Sequence, residues 1–548
     1  MKAYFSLKNY QMLDIDQKTI LNVFQEAAEK WPSYPFLLVP KTHSTDIQEI
    51  SYAKALRKVK MYKKSFYKAG YSFGTRVAVL LGNSPDHYLI KIALNGIGVS
   101  IVPLNPDASP KELGYILSDS KACLVITDDS KARLIRESIF FLDSPLKFCL
   151  VDDINKNLPL GSFCKKKSMV LPETEASLLY TSGTTGSPKG CILSHEYELM
   201  CGESYAKVGP PVSLKLNSER IFNPLPSFHI NAGILTLFGV ILTGNCLIQP
   251  HRFSVKTWSR DIKETKATVF HYLGVIIAML LNTNIRKEEI QSLRLGLGAG
   301  VEPSLHEKFE NLFEIPLVEV WGMTEMCRII AANEEPRQIT TRAMGRPRLD
   351  LEVKVVDEQE KEVKRGTPGE MLIRHSKDFP RKGSFSGYLG NTDATETAWK
   401  NGWFHTGDTV IMDETNMLIF IDRAKNIIRR SGENISAAEI ENCLIEHEIV
   451  NNVACVSVSD EIREEEIMAC VVISKYAEKS RETAERLFDH VYKQLAYYKA
   501  PGWFLFMEDL PVTGTQKILK HKLFDPKEDP RNYQNVFDMR NLKVRKSE

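Results

Sequence analysis

Short apolar runs alternate with amphipathic stretches through the first part of the chain. Between Thr19 and Trp31, residues Ile20, Leu21, Phe24, Ala27, Ala28 and Trp31 recur at helical spacing behind Asp16, a candidate cap. RVAVLLG (76–82), VSIVPLN (99–105) and ACLVIT (122–127) read as buried strands, with helices over 84–96 and 110–120. Strands alternating with helices predict parallel sheets covered on both faces. The pattern resumes from Ser177 to about Trp321, which predicts a second subdomain of the same α/β class. From Met344 to Ile421 the segments LEVKVVD, GEMLIRH and NMLIFID are separated by Gly, Pro, Asn and Asp, and predict a small antiparallel β unit. Beyond Asp422, helices over 437–447 and 482–495 and strands over 453–457 and 468–474 predict a compact α+β unit. The main boundary falls near Arg423.

Composition narrows this picture without changing it. The chain has 548 residues, 43% hydrophobic and 26% charged, enough for about three or four packed units. Lys plus Arg is 71 against 69 Asp plus Glu, a formal charge of +2, which gives no support for a nucleic-acid partner. The ten cysteines include no CxxC pair. Cys191, Cys201 and Cys246 lie among apolar neighbours and read as reduced structural thiols of a cytoplasmic protein. The spacing of Cys443 and His447 suits one helix face, but two ligands make no zinc site. The N-terminus carries charges and no apolar run, so no secretory signal is expected. The apolar segments 233–248 and 267–281 are short of a membrane span and interrupted by polar residues, and predict buried core elements.

The first candidate chemistry is a polar loop. Ser177, Leu178, Leu179 and Tyr180 predict a strand that runs into Thr181-Ser182-Gly183-Thr184-Thr185-Gly186-Ser187-Pro188-Lys189-Gly190. Glycines let backbone N–H groups turn toward an anion, and hydroxyls and a lysine add donors. The P-loop pattern GxxxxGK[ST] fails, because Pro188 stands where the second glycine is required. Taken alone, the tract leaves open a plain polar surface loop. LGLGAG (295–300), taken to follow a strand, has GxGxG spacing and fails the dinucleotide pattern GxGxxG.

Position for position, the loop resembles the phosphate-binding motif of the adenylate-forming superfamily, which includes acyl-CoA synthetases. The resemblance runs over roughly residues 20–525 and recurs in PLPSFHINA (224–232), LGLGAG, WGMTE (321–325), GWFHTGD (402–408), IDRAKNIIRRSGEN (421–434) and LPVTGTQKILK (510–520). The crotonobetaine/carnitine–CoA ligase branch is the most similar. The resemblance implies a large N-terminal domain (1–422) of two doubly wound subdomains plus a small β-barrel-like unit. A smaller, mobile α+β lid domain (423–548) would follow.

It also implies roles. Thr181, Ser182, Gly183, Thr184, Thr185 and Lys189 would grip the phosphates of ATP, with Glu325 and Thr184 at Mg²⁺ and Thr324 on the α-phosphate. Gly298, Ala299 and Gly300 would pack on adenine, beside Trp321 and Gly322. Asp408 and Arg423 would take the ribose. His229 would lie beside the acyl-adenylate, and Lys425 would be the hinge between two working shapes. Gly432 would line the thiol channel. Lys517 would be the catalytic lysine that bridges carboxylate and α-phosphate. Three departures stand out: Gln516 precedes Lys517 where glycine is usual, Trp321 replaces a commoner Tyr, and Ala437 replaces a frequent Pro.

The reaction implied is carboxylic acid plus ATP to acyl-AMP and pyrophosphate, then CoA displacing AMP. Little chain follows Lys517, which favours free CoA over a fused carrier domain. Loading of a separate carrier protein, or a non-catalytic nucleotide-binding regulator, are the alternatives. Partners would be a small acid, ATP and CoA, in a monomer or homodimer. Gly322 stands where relatives specific for two- and three-carbon acids carry a Trp wall, so a longer acid is expected. Phe270, His271, Tyr272, Gly274, Gly298 and Trp321 are expected pocket neighbours, and aromatic faces there would suit a trimethylammonium group.

Overall fold

A computed structural model of the chain describes residues 11–42, 44–161, 168–181, 188–423, 427–430, 433–460, 463–495, 497–512, 518–525 and 528–544. Two compact units emerge, Met1–Glu352 with Arg374–Phe404, and Val353–Ile373 with His405–Glu548.

The first unit holds two sheets. One runs Gly387–Tyr388, Lys189–Ser194, Glu175–Thr181, Ser100–Pro103, Arg76–Leu80, Leu124–Thr127 and Phe148–Leu150 in spatial order. Its last four strands are parallel and nearly all apolar, as burial on both faces requires. The predicted helix at 110–120 is Pro110–Ser120. Proline fits its first turn, and Ser109 and Glu112 exchange hydrogen bonds between side chain and backbone at 3.3 and 2.9 Å. The first helix is Ile20–Lys30, and its cap is Thr19 rather than Asp16. Asn22, three residues on, accepts the Thr19 N–H at 3.1 Å, a partner that Asp16 lies too far upstream to have.

The other sheet runs Met326–Ala331, Leu317–Met323, Leu295–Ala299, Val269–Leu273, Arg220–Phe222, Cys246–Ile248, Pro35–Val39 and Gln48–Ser51, antiparallel only at its two edges. Both apolar segments flagged in the sequence belong to this layer, the first buried and the second buried except on the outer face of its helix, where Val275 and Met279 are exposed. The first becomes a π-helix, Asn231–Thr236, a helix, Leu237–Thr243, and the strand Cys246–Ile248. The second becomes the strand Val269–Leu273 and the helix Gly274–Leu281. LGLGA is itself the strand, not a loop behind one, because its glycines are filled by neighbours. A Cβ on Gly298 would lie 2.3 Å from the Tyr272 carbonyl oxygen. Among the described residues no helix is long and apolar enough to cross a membrane.

In the second unit Leu418–Arg423, Trp403–Met412, Pro368–Arg374 and Glu352–Val356 lie side by side. Alternate residues of Trp403–Met412 are buried, as the period of a strand dictates. The hairpin Val450–Asp460/Glu464–Ile473 is longer than its apolar runs predict. Glu466 on it is buried and meets Arg430 at 2.8 Å and Lys543 at 2.6 Å, so a charge sits where pattern alone places a loop.

Candidate active site

The polar loop springs from the base of a hairpin. Thr181 ends one strand, Lys189 begins the next, and the two are cross-strand partners. Ser182, Gly183, Thr184 and Thr185 lie outside the described residues. A P-loop runs into a helix N-terminus; this loop runs into an antiparallel strand instead.

WGMTE forms the turn of a second hairpin. Met323 pairs with Met326, which leaves Thr324 and Glu325 at the tip. The tip backbone is clamped: the Tyr197 hydroxyl donates to the Thr324 carbonyl at 2.8 Å, and the Phe385 N–H donates to the Glu325 carbonyl at 3.0 Å. Glu325 is buried and its Oε1 accepts from the Tyr388 hydroxyl at 2.8 Å. The ring of Tyr388 faces Lys189 Nζ at 5.1 Å. Tyr388 thus brings the phosphate hairpin and the WGMTE turn together, and the motif reading missed it. Its only sequence signal is an aromatic in SGYLG, among many aromatics in the chain.

The adenine-side residues sit at the C-terminal ends of parallel strands, where α/β sheets place ligands. Gly298 pairs with Tyr272 on one side and Glu319 on the other. Gly300 has φ +78°, and its N–H donates to Glu319 at 2.6 Å, while the Tyr272 hydroxyl donates to the same carboxylate at 2.7 Å. Burial pushes Glu319 up to about 7. Glycine at 298 is thus demanded by Tyr272 and at 300 by the backbone turn. Ala299 closes the strand. Trp321 is buried and Gly322 exposed, where an added Cβ would meet Ile329 at 3.3 Å. Glu319 was also missed; a lone acid inside LVEVW is its signal.

His229 lies just before the π-helix, and burial drives its pKa down to about 4, so it is a neutral imidazole near pH 7. π-helical turns are uncommon and gather at functional sites. Asn231 opens this one. Its Oδ1 accepts from Asn223 Nδ2 and from His271 Nδ1, both at 2.9 Å. Burial holds His271 neutral, with a pKa of about 3, so its Nε2 accepts from the Tyr205 hydroxyl at 2.9 Å. Phe270 and Tyr272 are fully buried, and a Cβ on Gly274 would lie 1.8 Å from the Gly300 carbonyl oxygen.

In the second unit Asp408 and Arg423 are partners on adjacent antiparallel strands. Asp408 is buried, and its N–H donates to Thr406 Oγ1 at 3.1 Å. Lys425, Gly432 and Lys517 lie outside the described residues. The departure at Ala437 is accommodated by Ser436, which caps the helix Ala437–Ile445 by accepting the Glu439 N–H.

A magnesium ion fits the donor set of the first unit. Mg²⁺ takes oxygen ligands, uses one or two carboxylates and shares substrate phosphates. Glu325 offers one buried carboxylate, oriented by Tyr388.

A family model for AMP-binding enzymes matches residues 24–389, and one for their C-terminal domain matches 439–517. The chain belongs to the AMP-binding enzyme family. It is 28% identical to a crotonobetaine/carnitine–CoA ligase of Salmonella arizonae over 507 residues, 89% of this chain and 95% of the relative. It is also 28% identical to a sulfoacetate–CoA ligase of Cupriavidus necator, over 92% of this chain and 97% of that one. Among AMP-binding enzymes of known structure, it resembles o-succinylbenzoate CoA synthetase of Bacillus subtilis in complex with an acyl-adenylate intermediate. The TM-score is 0.80 at 25% identity, covering 94% of this chain and 100% of that one. The same enzyme with ATP and a magnesium ion gives a TM-score of 0.79 at 25% identity, over 92% and 99%.

Proposed function

We propose that this AMP-binding enzyme is an AMP-forming carboxylic acid–CoA ligase, using ATP and Mg²⁺ and releasing AMP and pyrophosphate. The observation that carries the reading is the convergence of Lys189 and Glu325 on Tyr388. It supports a site where phosphate donors and a metal-holding carboxylate face one substrate.

In this reading Thr181, Ser182, Gly183, Thr184, Thr185 and Lys189 hold the β- and γ-phosphates. Glu325 and Thr184 hold the metal, which when bound draws charge from the phosphate oxygens. Thr324 orients the α-phosphate. The acid's carboxylate oxygen attacks the α-phosphorus and pyrophosphate leaves; Lys517 meets the charge that builds there. Asp408 accepts from the ribose hydroxyls, assisted by Arg423, while Gly298, Ala299 and Gly300 flank the base next to Trp321 and Gly322. Rotation at Lys425, between 1–422 and 423–548, would replace Lys517 by Gly432 for the second step. The CoA thiol then attacks the acyl carbon beside His229 and releases AMP. The near-balanced charge and reduced, buried thiols support small-molecule partners in the cytoplasm rather than nucleic acid.

The acid is longer than acetate and carries a second polar group. With its Oδ1 committed to Asn223 and His271, Asn231 has an N–H₂ group to donate to such a substituent. Relatives named for carnitine, sulfoacetate and o-succinylbenzoate support that class. The test is acid-dependent ATP–pyrophosphate exchange over a panel of betaines, sulfonates, dicarboxylates and plain fatty acids. Exchange led by acids with a second polar group is expected. ATP binding without exchange for any acid would overturn the reading.

A further inference from the structure

We infer that Tyr388 is a positioning residue that locks the Glu325 carboxylate for magnesium-bound nucleotide while serving as the platform for Lys189. The inference rests on the proposed function, and it adds a residue to that site.

The geometry is specific. The Tyr388 hydroxyl donates to one carboxylate oxygen of Glu325 at 2.8 Å, and the face of the same ring lies 5.1 Å from Lys189 Nζ. One side chain thus touches the two charged groups that flank the loop. Tyr388 is itself fixed: its N–H donates to Thr395 Oγ1 at 3.0 Å, it pairs with Cys191 across the sheet, and the Phe385 ring packs edge-on at 4.7 Å. Leu389 N–H donates to the Gly190 carbonyl at 2.8 Å, so the strand cannot slip against the phosphate hairpin. A phenol orients a carboxylate without cancelling its charge. A tyrosine hydroxyl keeps its proton near pH 7, so it stays a donor. Hydrogen bonds to ligating carboxylates set their direction, and losing one costs roughly 10–100-fold in metal affinity. Lysine over an aromatic face gains about 0.5–1 kcal/mol, a factor of about two to five.

The test measures ATP binding to the full-length protein by equilibrium dialysis, across a Mg²⁺ series and in EDTA. Tyr388→Phe keeps the ring and removes the hydroxyl. It is expected to raise the Mg²⁺ midpoint roughly tenfold and leave affinity in EDTA unchanged. Tyr388→Leu removes both contacts and should also weaken binding in EDTA about two- to fivefold. In a Glu325→Gln background, Tyr388→Phe should add no further shift. A Phe variant with the wild-type Mg²⁺ midpoint overturns the inference, as does one that loses the same factor with and without metal. If ATP binding by the wild type ignores Mg²⁺, the functional reading falls and this inference with it. A metal-sensitive wild type beside a Phe variant with the same midpoint overturns the inference alone.

Discussion

One strand, Glu175–Thr181, serves two buried carboxylates that are treated in opposite ways. Near its start, Ser177 accepts from Lys91, whose ammonium also meets Glu198 at 2.8 and 2.9 Å in a pocket where Lys91 is 2% and Glu198 0% exposed. At its end, Thr181 opens the phosphate hairpin that meets Glu325 through Tyr388. Lys91 neutralises Glu198 on the spot, so the pair carries no net charge. Tyr388, a neutral donor, directs Glu325 through one hydrogen bond at 2.8 Å. Burial costs both carboxylates; the partner decides whether the charge is structural or functional.

The comparison can be broken from either side. The largest effect expected is from Lys91→Ala, which strands a buried carboxylate. It should cost about 3–5 kcal/mol in urea unfolding. Replacing the pair together, Lys91→Met with Glu198→Leu, should recover most of that loss, because burial opposes the charge on both partners. A double variant as unstable as the single one would show that the charge itself is needed.

Glu325→Gln should behave in the reverse manner. Pyrophosphate exchange should drop by about 10²–10³, with the unfolding free energy in urea within about 1.5 kcal/mol of wild type, the worth of one hydrogen bond. A large stability loss without loss of Mg²⁺ dependence would move Glu325 into the structural class with Glu198.

A smaller effect should appear as pH dependence. Burial holds His87, His195 and His271 near pKa 3, against 6.5 when exposed. The unfolded chain takes up these protons first, so stability is complete above about pH 6.5 and declines as pH falls toward 3. His271→Gln should flatten that decline measurably. An unchanged slope would mean that burial does not hold His271 neutral.

Much of this was legible in the sequence, for reasons that differ by region. Buried parallel strands such as Arg76–Leu80 are unbroken apolar runs, and Pro110 with Ser109 and Glu112 spells out a helix start. The roles expected of the loop and of WGMTE come from the resemblance, because the loop's residue types alone leave a plain polar loop open. Asp16 misled as a cap because Thr19, set by Asn22, needs contact geometry that pattern does not hold. LGLGA looked like a loop because its glycines suggest turns, whereas Gly298 is small to admit Tyr272. Tyr388 and Glu319 escaped because each acts across the sheet on residues distant in sequence. Their partners, Glu325 and Lys189 for one and Tyr272 and Gly300 for the other, become neighbours only once strands are aligned.

The central claim is that the acid's own oxygen attacks the α-phosphorus of ATP before CoA arrives. The direct measurement turns over an accepted acid, labelled with ¹⁸O in its carboxyl group, with ATP and CoA, and analyses the nucleotide by mass spectrometry. The account predicts AMP carrying one ¹⁸O, formed in step with the thioester. Unlabelled AMP, or ADP as the product, would contradict it.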